Sequence, residues 1–352
     1  MTLGSQHKDK FPIVLSTLLL LLVLMVVLNL LFGSVEIPLG DILTVIFEGG
    51  KGVDEGTMLI VNNFRIPQTI TAILSGAGLA IAGLLMQTLF RNPLADPSIL
   101  GISSGASLGV ALLLATSGII TGQAFVAFGL WSQIGITGAA FLGAMLVLFL
   151  IMFLSRRMGN IVSLLIIGIM IAYIAGALVG FVKFYSQRED VHTFVIWGLG
   201  SFANVSRAQL PFFTMVTLAA LGLSWLMVKP LNLLLLGERY ATNLGLNVSR
   251  NQVLIILIAG FLTSVVTAFS GPIAFIGLAV PHLVRNFLKT SDHRLLIPAV
   301  MIMGALLALF CNLIARLPGF DGSLPINAVT SLIGAPIVIW IILHRRQIYD
   351  SE

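Results

Sequence analysis

The strongest constraint on this chain is a succession of long apolar runs, several of them free of charge for about 20 residues. A run of that length matches the ~30 Å hydrocarbon core of a bilayer when it is helical. A soluble fold could not hide them. Of the 352 residues 58% are hydrophobic and 9% charged, against about 25% charged in an ordinary soluble domain. The chain therefore reads as an all-α, multi-pass membrane protein. Ten spans are expected, at about 11–32, 66–90, 98–117, 134–154, 161–183, 209–228, 251–269, 271–288, 296–315 and 324–343. The first run is too long for a signal-peptide core and has no small-residue cleavage site after it, so it counts as a span. No separate soluble domain is visible, and residues 1–352 read as one transmembrane domain.

Ten spans put both termini on one side, and that side receives thirteen of the nineteen Lys and Arg residues, Arg156 and Arg157 among them. The bias places both termini in the cytoplasm. The two faces then differ in charge, +7 inside and −2 outside. The formal net charge of +5 thus reflects topology rather than nucleic-acid binding.

Several function classes are excluded early. Cys311 is the only cysteine, so neither an intrachain disulfide nor a cysteine-based metal cluster can form. The chain has no GxxxxGK[ST] loop for ATP and no HExxH or CxxC motif. GISSG at 101–105 matches GxSxG but lies before an apolar run, whereas a nucleophile elbow needs a strand before its serine. Carboxylates fall only in loops or at span ends, which argues against an ion-coupled secondary transporter, the competing reading from another class. Neither a catalytic residue nor a metal ligand is expected. His282 has no partner at zinc-like spacing.

Four features remain. RNPLADPSILGISSGASLG, 91–109, reads as a turn between two spans. Asn92-Pro93 ends the first, and Asp96 caps the next with Pro97 at its first position. Small residues recur every fourth position at Gly101, Gly105 and Gly109, at Gly135, Ala139 and Gly143, and at Gly168, Ala172, Gly176 and Gly180. Such stripes let helices approach closely in lipid. The last, being longest, could also leave a passage. PLNLLLLGERYATNLGLNVSR, 230–250, is too interrupted to span and would either lie at the interface or meet a cytosolic partner. Arg65 and Arg316 sit near prolines at outer span ends. They would either snorkel to the interface or receive carboxylates from a docking protein.

RIPQTITAILSGAGLAIAGLLMQTLFRNPLADPSILGISSGASLG, GPIAFIGLAVPHLVR with SDHR, and LPINAVTSLIGAPIVIW occur in that order. Together they closely resemble the FecCD family of permease subunits of ABC importers, over residues of about 15 to 345. The resemblance implies a type II importer fold of ten helices, pairing with a second permease subunit, identical or paralogous, around a central pathway. It also implies two cytosolic ATPase subunits that use ATP and magnesium, with no cofactor on this chain, and a periplasmic or lipid-anchored binding protein. Asn92, Pro93 and Leu94 match the family's cytoplasmic gate. The span with Gly168, Ala172, Gly176 and Gly180 is similar to one lining the pathway. Leu231–Asn247, with Leu236, Gly237, Glu238, Ala241, Leu244 and Gly245, resembles the coupling helices that touch the ATPase. Arg65 and Arg316 match positions that meet acidic residues of the binding protein.

Three positions depart from the pattern. Gln68 stands where many relatives carry a second arginine, Ser323 where a glutamate often precedes the LP pair, and Ile161-Val162 beside Ser163 where some relatives have hydroxyls. The expected cargo is an iron chelate, first an iron(III)–siderophore complex, with haem or cobalamin as the alternative.

Overall fold

A computed structural model of the chain describes residues 5–33, 35–120, 129–155, 161–316 and 323–349. Arg156 and Arg157 lie outside them. The first helices are α1 (Ser5–Leu31), α2 (Leu39–Phe47), α3 (Glu55–Ile60) and α4 (Ile66–Leu89), the last two joined by a π-helical turn at Val61–Arg65. α5 (Ile102–Ile120), α6 (Gly129–Ser155), α7 (Ile161–Tyr185) and α8 (Arg188–Gly198) follow. After them come α9 (Leu210–Leu226), α10 (Val228–Leu235), α11 (Glu238–Asn243) and α12 (Val248–Ser270). The chain closes with α13 (Ile276–Leu288), α14 (His293–Ala315) and α15 (Ile326–Tyr349).

Among the described residues six helical segments are long and apolar enough to cross a membrane: Phe11–Leu31, Glu55–Leu89, Ile134–Ser155, Ser163–Tyr185, Val248–Ser270 and His293–Ala315. A seventh is possible if α9 and α10, bent by 47° at Met227, form one span. The other expected spans fall on α5, α13 and α15, which carry the apolar stretches Ile102–Thr116, Ile276–Leu288 and Ile326–Trp340 among the described residues. Local chemistry sets where α5 and α13 begin. The turn before α5 uses Pro97–Leu100 as a 3₁₀ helix and ends at Gly101 with φ +78°. Before α13, Gly271 has φ +75° and Phe275 is left-handed, which delays the helix to Ile276.

The chain divides into two compact units. The first comprises Met1–Ile81, Ser201–Leu218 and Ile273–Glu352. In it α14 packs against α1, α13 and α15. Gly76 of α4 and Gly304 of α14 cross so closely that a Cβ on either would fall on the other's carbonyl. A small apolar cluster of Ile37, Ile42, Val45 and Val61 seats α2 beside the π turn.

The second unit comprises Ala82–Gly200 and Ala219–Pro272. α5 is its hub, packed on α6, α7 and α12. Gly105 and Gly109 meet Gly143 and Ala139 of α6 backbone to backbone. This is the close approach that small residues permit where lipid removes the hydrophobic drive between helices.

Candidate functional site

In the second unit, α4 ends in a two-bond turn. The Asn92 N–H reaches the Gln87 carbonyl at 3.2 Å and the Arg91 N–H reaches Thr88 at 3.3 Å. That is the Schellman pattern, and it requires a left-handed residue after the helix. Arg91 fills the position, with φ +48°. Next, the Leu94 N–H donates to the Asn92 side chain at 2.9 Å, and the Asp96 carboxylate accepts from the Ser98 N–H at 2.8 Å. The expected Asp96-Pro97 cap therefore forms, but on the 3₁₀ turn rather than on α5. Desolvation holds the Asp96 carboxyl above its ordinary range, and its hydrogen bonds to Ser98 oppose that shift. Leu94 is exposed, while Asn92 and Pro93 are half-buried.

The segment expected to meet a partner lies in the same unit. α10 ends at Leu235, Gly237 turns the chain with φ +110°, and α11 follows. Ala241 is buried beneath it. Leu235, Leu236, Tyr240 and Leu244 are exposed beside the charged Glu238 and Arg239. Glu238 accepts from the Gln252 amide at 3.1 Å, which holds α11 on α12. Gly245, with φ +85°, and Asn247, whose side chain caps Arg250, start α12. Exposed apolar side chains in a polar segment suit a surface that meets either another protein or the membrane interface.

The four-residue stripe of α7 divides in two. A Cβ on Gly168 would approach Leu100 Cα at 2.8 Å, and one on Gly101 would approach the Ala172 nitrogen at 3.1 Å. Gly168 and Ala172 thus serve packing. Gly176 and Gly180 have nothing within 4 Å of the same position. Their helix is among the least covered, with 11% of its apolar window buried, against 89% for Glu55–Leu89.

In the first unit Arg65 and Arg316 lie near one another at the end of α1. Arg65 is 1% exposed. Its guanidinium donates to the carbonyls of Leu30, Leu31 and Val35, so it caps the C-terminus of α1, where cations are favoured. Arg316, half-buried, reaches the Asn29 carbonyl at 3.4 Å. A Cβ on Gly33 would strike its terminal nitrogen at 2.6 Å. The expectation that Arg65 receives carboxylates from outside does not fit these surroundings, because the side chain is spent on helix-end carbonyls.

Sequence reasoning missed a chain of buried amides beside that cap. Gln68 donates to Asn312 at 3.0 Å, Asn312 to Asn29 at 2.8 Å, and Asn29 to the Leu309 carbonyl at 3.1 Å. Uncharged polar residues inside apolar runs are the signal that would have found it, since such groups need partners in a membrane. Gln68 is therefore an interior residue. Among the described residues no group of three or more His, Cys, Asp or Glu side chains converges as a metal site.

A family model, the FecCD transport family, matches residues 20–344. This chain belongs to the FecCD transport family. It is therefore a permease of the ABC importer class, a multi-pass membrane protein of a family of transport permease subunits. Among its FecCD relatives, the vitamin B12 import system permease protein BtuC of Klebsiella pneumoniae is 38% identical over 333 residues, covering 94% of this chain and 92% of that one. The hemin transport system permease protein HmuU of Yersinia pestis is 37% identical over 286 residues, covering 81% and 83%. A solved structure described as an inward-facing conformation of a metal-chelate type ABC transporter superposes with a TM-score of 0.81. It shares 31% identity and covers 95% of this chain and 99% of that one. The FecCD fold, all-helical and of the type II importer class, is thus established for the chain, while the number of crossings stands as described above.

Proposed function

We propose that this chain is the membrane permease of an importer for cobalamin, working by alternating access and driven by ATPase subunits on the cytoplasmic side. The observation that carries the reading is its likeness to vitamin B12 permeases over nearly the whole chain. Haem is the second reading, supported by a hemin permease at almost the same identity. Both relatives are named for large metal-bearing macrocycles. The siderophore preferred from the sequence has no such support, and the order of expectation changes accordingly.

In this proposal the exposed apolar side chains of 231–247 receive the ATPase, with Leu236, Glu238 and Leu244 forming the contact and Gly237 and Gly245 its pivots; Ala241, expected in the contact, is buried and supports it from beneath. Asn92, Pro93 and Leu94 form the cytoplasmic gate. The open half of α7, at Gly176 and Gly180, faces the pathway, and Gly168 and Ala172 seat the helix on the gate turn. A substrate-binding protein docks on the opposite face, where Arg316 rather than Arg65 offers a cation. The chain pairs with a second permease subunit in the cytoplasmic membrane, with both termini in the cytoplasm. No bond of the cargo is broken, so the site needs no nucleophile.

The test is uptake into proteoliposomes holding the chain with its ATPase and binding protein. Cyanocobalamin uptake that requires ATP, and that a ferric siderophore does not compete away, is the expected result. Hemin uptake in its place supports the second reading. Siderophore uptake alone, or uptake driven by a proton gradient without nucleotide, overturns the proposal.

A further inference from the structure

We propose that Arg91 is the positioning residue that ties the ATPase-contact segment to the cytoplasmic gate, so that motion of one is delivered to the other. The inference rests on the reading of 231–247 and 92–94 given above, and adds to it a residue with no role there.

Arg91 occupies the left-handed position that closes α4, with φ +48°. Glycine or asparagine normally takes that place, because an L side chain with a Cβ is strained in it. Among the described residues eight glycines adopt positive φ, and three residues of other types do, Arg91 among them. A residue that costs backbone energy at a turn is a reason to look at its side chain.

The Arg91 side chain crosses to α10. Its terminal nitrogen donates to the Leu234 carbonyl at 2.9 Å, next to the last residue of that helix. The cation sits where the helix dipole is negative, which strengthens a hydrogen bond that is already charge-assisted. The same carbonyl accepts from the Gly237 N–H at 3.2 Å. Gly237 is the pivot between α10 and α11, and a Cβ there would lie 3.8 Å from the Arg91 nitrogen. Arg91 therefore grips the contact segment at its bend.

From Arg91 the connection continues without a gap. Asn92 to Leu94 follow directly, held by the Asn92 side chain. Asp96 fixes the 3₁₀ turn, and Leu100 and Gly101 lie in backbone contact with Gly168 and Ala172 of α7. Each link is a hydrogen bond or a backbone contact inside one compact unit. Displacement of α10–α11 would pull on the end of α4 through the Arg91 guanidinium, and reach α7 through the turn that follows.

Arg91→Gly separates a link from a merely structural role. Glycine relieves the left-handed strain while removing the side chain, so the complex should melt no lower than the wild type. Cyanocobalamin uptake per ATP hydrolysed, measured in proteoliposomes of the full importer, should fall by about tenfold. Arg91→Lys, which keeps a donor, should restore much of that ratio. Unchanged uptake per ATP in Arg91→Gly overturns the proposal, and so does a loss that merely tracks lower melting or weaker assembly. A wild-type chain that recruits no ATPase overturns the reading beneath it, and the link falls with it.

Discussion

Along α5, Gly105 and Gly109 meet α6 backbone to backbone, whereas along α7 the same four-residue spacing seats Gly168 on Leu100 and leaves Gly176 and Gly180 facing open space. The spacing by itself says only that one face of a helix lacks side chains. What decides its use is whether a second bare face stands opposite. α6 supplies one in Ala139 and Gly143, so the two helices close. Among the described residues the far half of α7 meets no such face. A stripe with a complementary stripe is a joint, and a stripe without one is a surface available to cargo or to another subunit.

The comparison can be broken at three positions. The largest effect is expected at the joint. Gly109→Leu would drive a side chain into the Ala139 carbonyl, where no flexible atom can yield, and should cost about 3 kcal/mol or more. Loss of folded protein on gel filtration and a lower melting temperature are the expected readings. Wild-type melting would show that the joint is looser than described. Next comes the open half. Gly176→Leu has room in the chain and should leave melting almost unchanged while cutting uptake about tenfold or more. Equal losses of folding and uptake would remove the distinction between the two stripes. The smallest effect is at Gly180→Ala, which adds only a methyl group in open space. It should stabilise the helix by about 0.5–1 kcal/mol, seen as a slightly higher melting temperature with transport retained.

Local signals in the sequence were legible where one segment contained both partners. Asp96 and Ser98, two residues apart, form the cap that their types suggest. The interruption at Gly271-Pro272 and the break in 230–250 are likewise local, and both occur. Signals failed where the partner lay far along the chain. Arg65 beside a proline at a span end looks like a cation offered to the outside. The carbonyls that claim it belong to residues about 30 positions earlier. The link between Arg91 and Leu234 spans 143 positions, and nothing in either neighbourhood announces it. Gly168 and Gly176 share one stripe, and only the fold separates them. Substrate choice was illegible for another reason: the motifs that identify the family read as helices, turns and contact surfaces, and carry no functional group distinctive of one cargo.

The amide chain of Gln68, Asn312 and Asn29 carries a consequence of its own. Its members are buried, and none of them titrates or bears a charge. A clasp of ion pairs in the same place would weaken as acidity protonated its carboxylates or as salt screened its exposed edge. Neutral amides lend α1, α4 and α14 the same hold in acid, in brine or in fresh water, an indifference that the charged Arg65 cap beside them does not share.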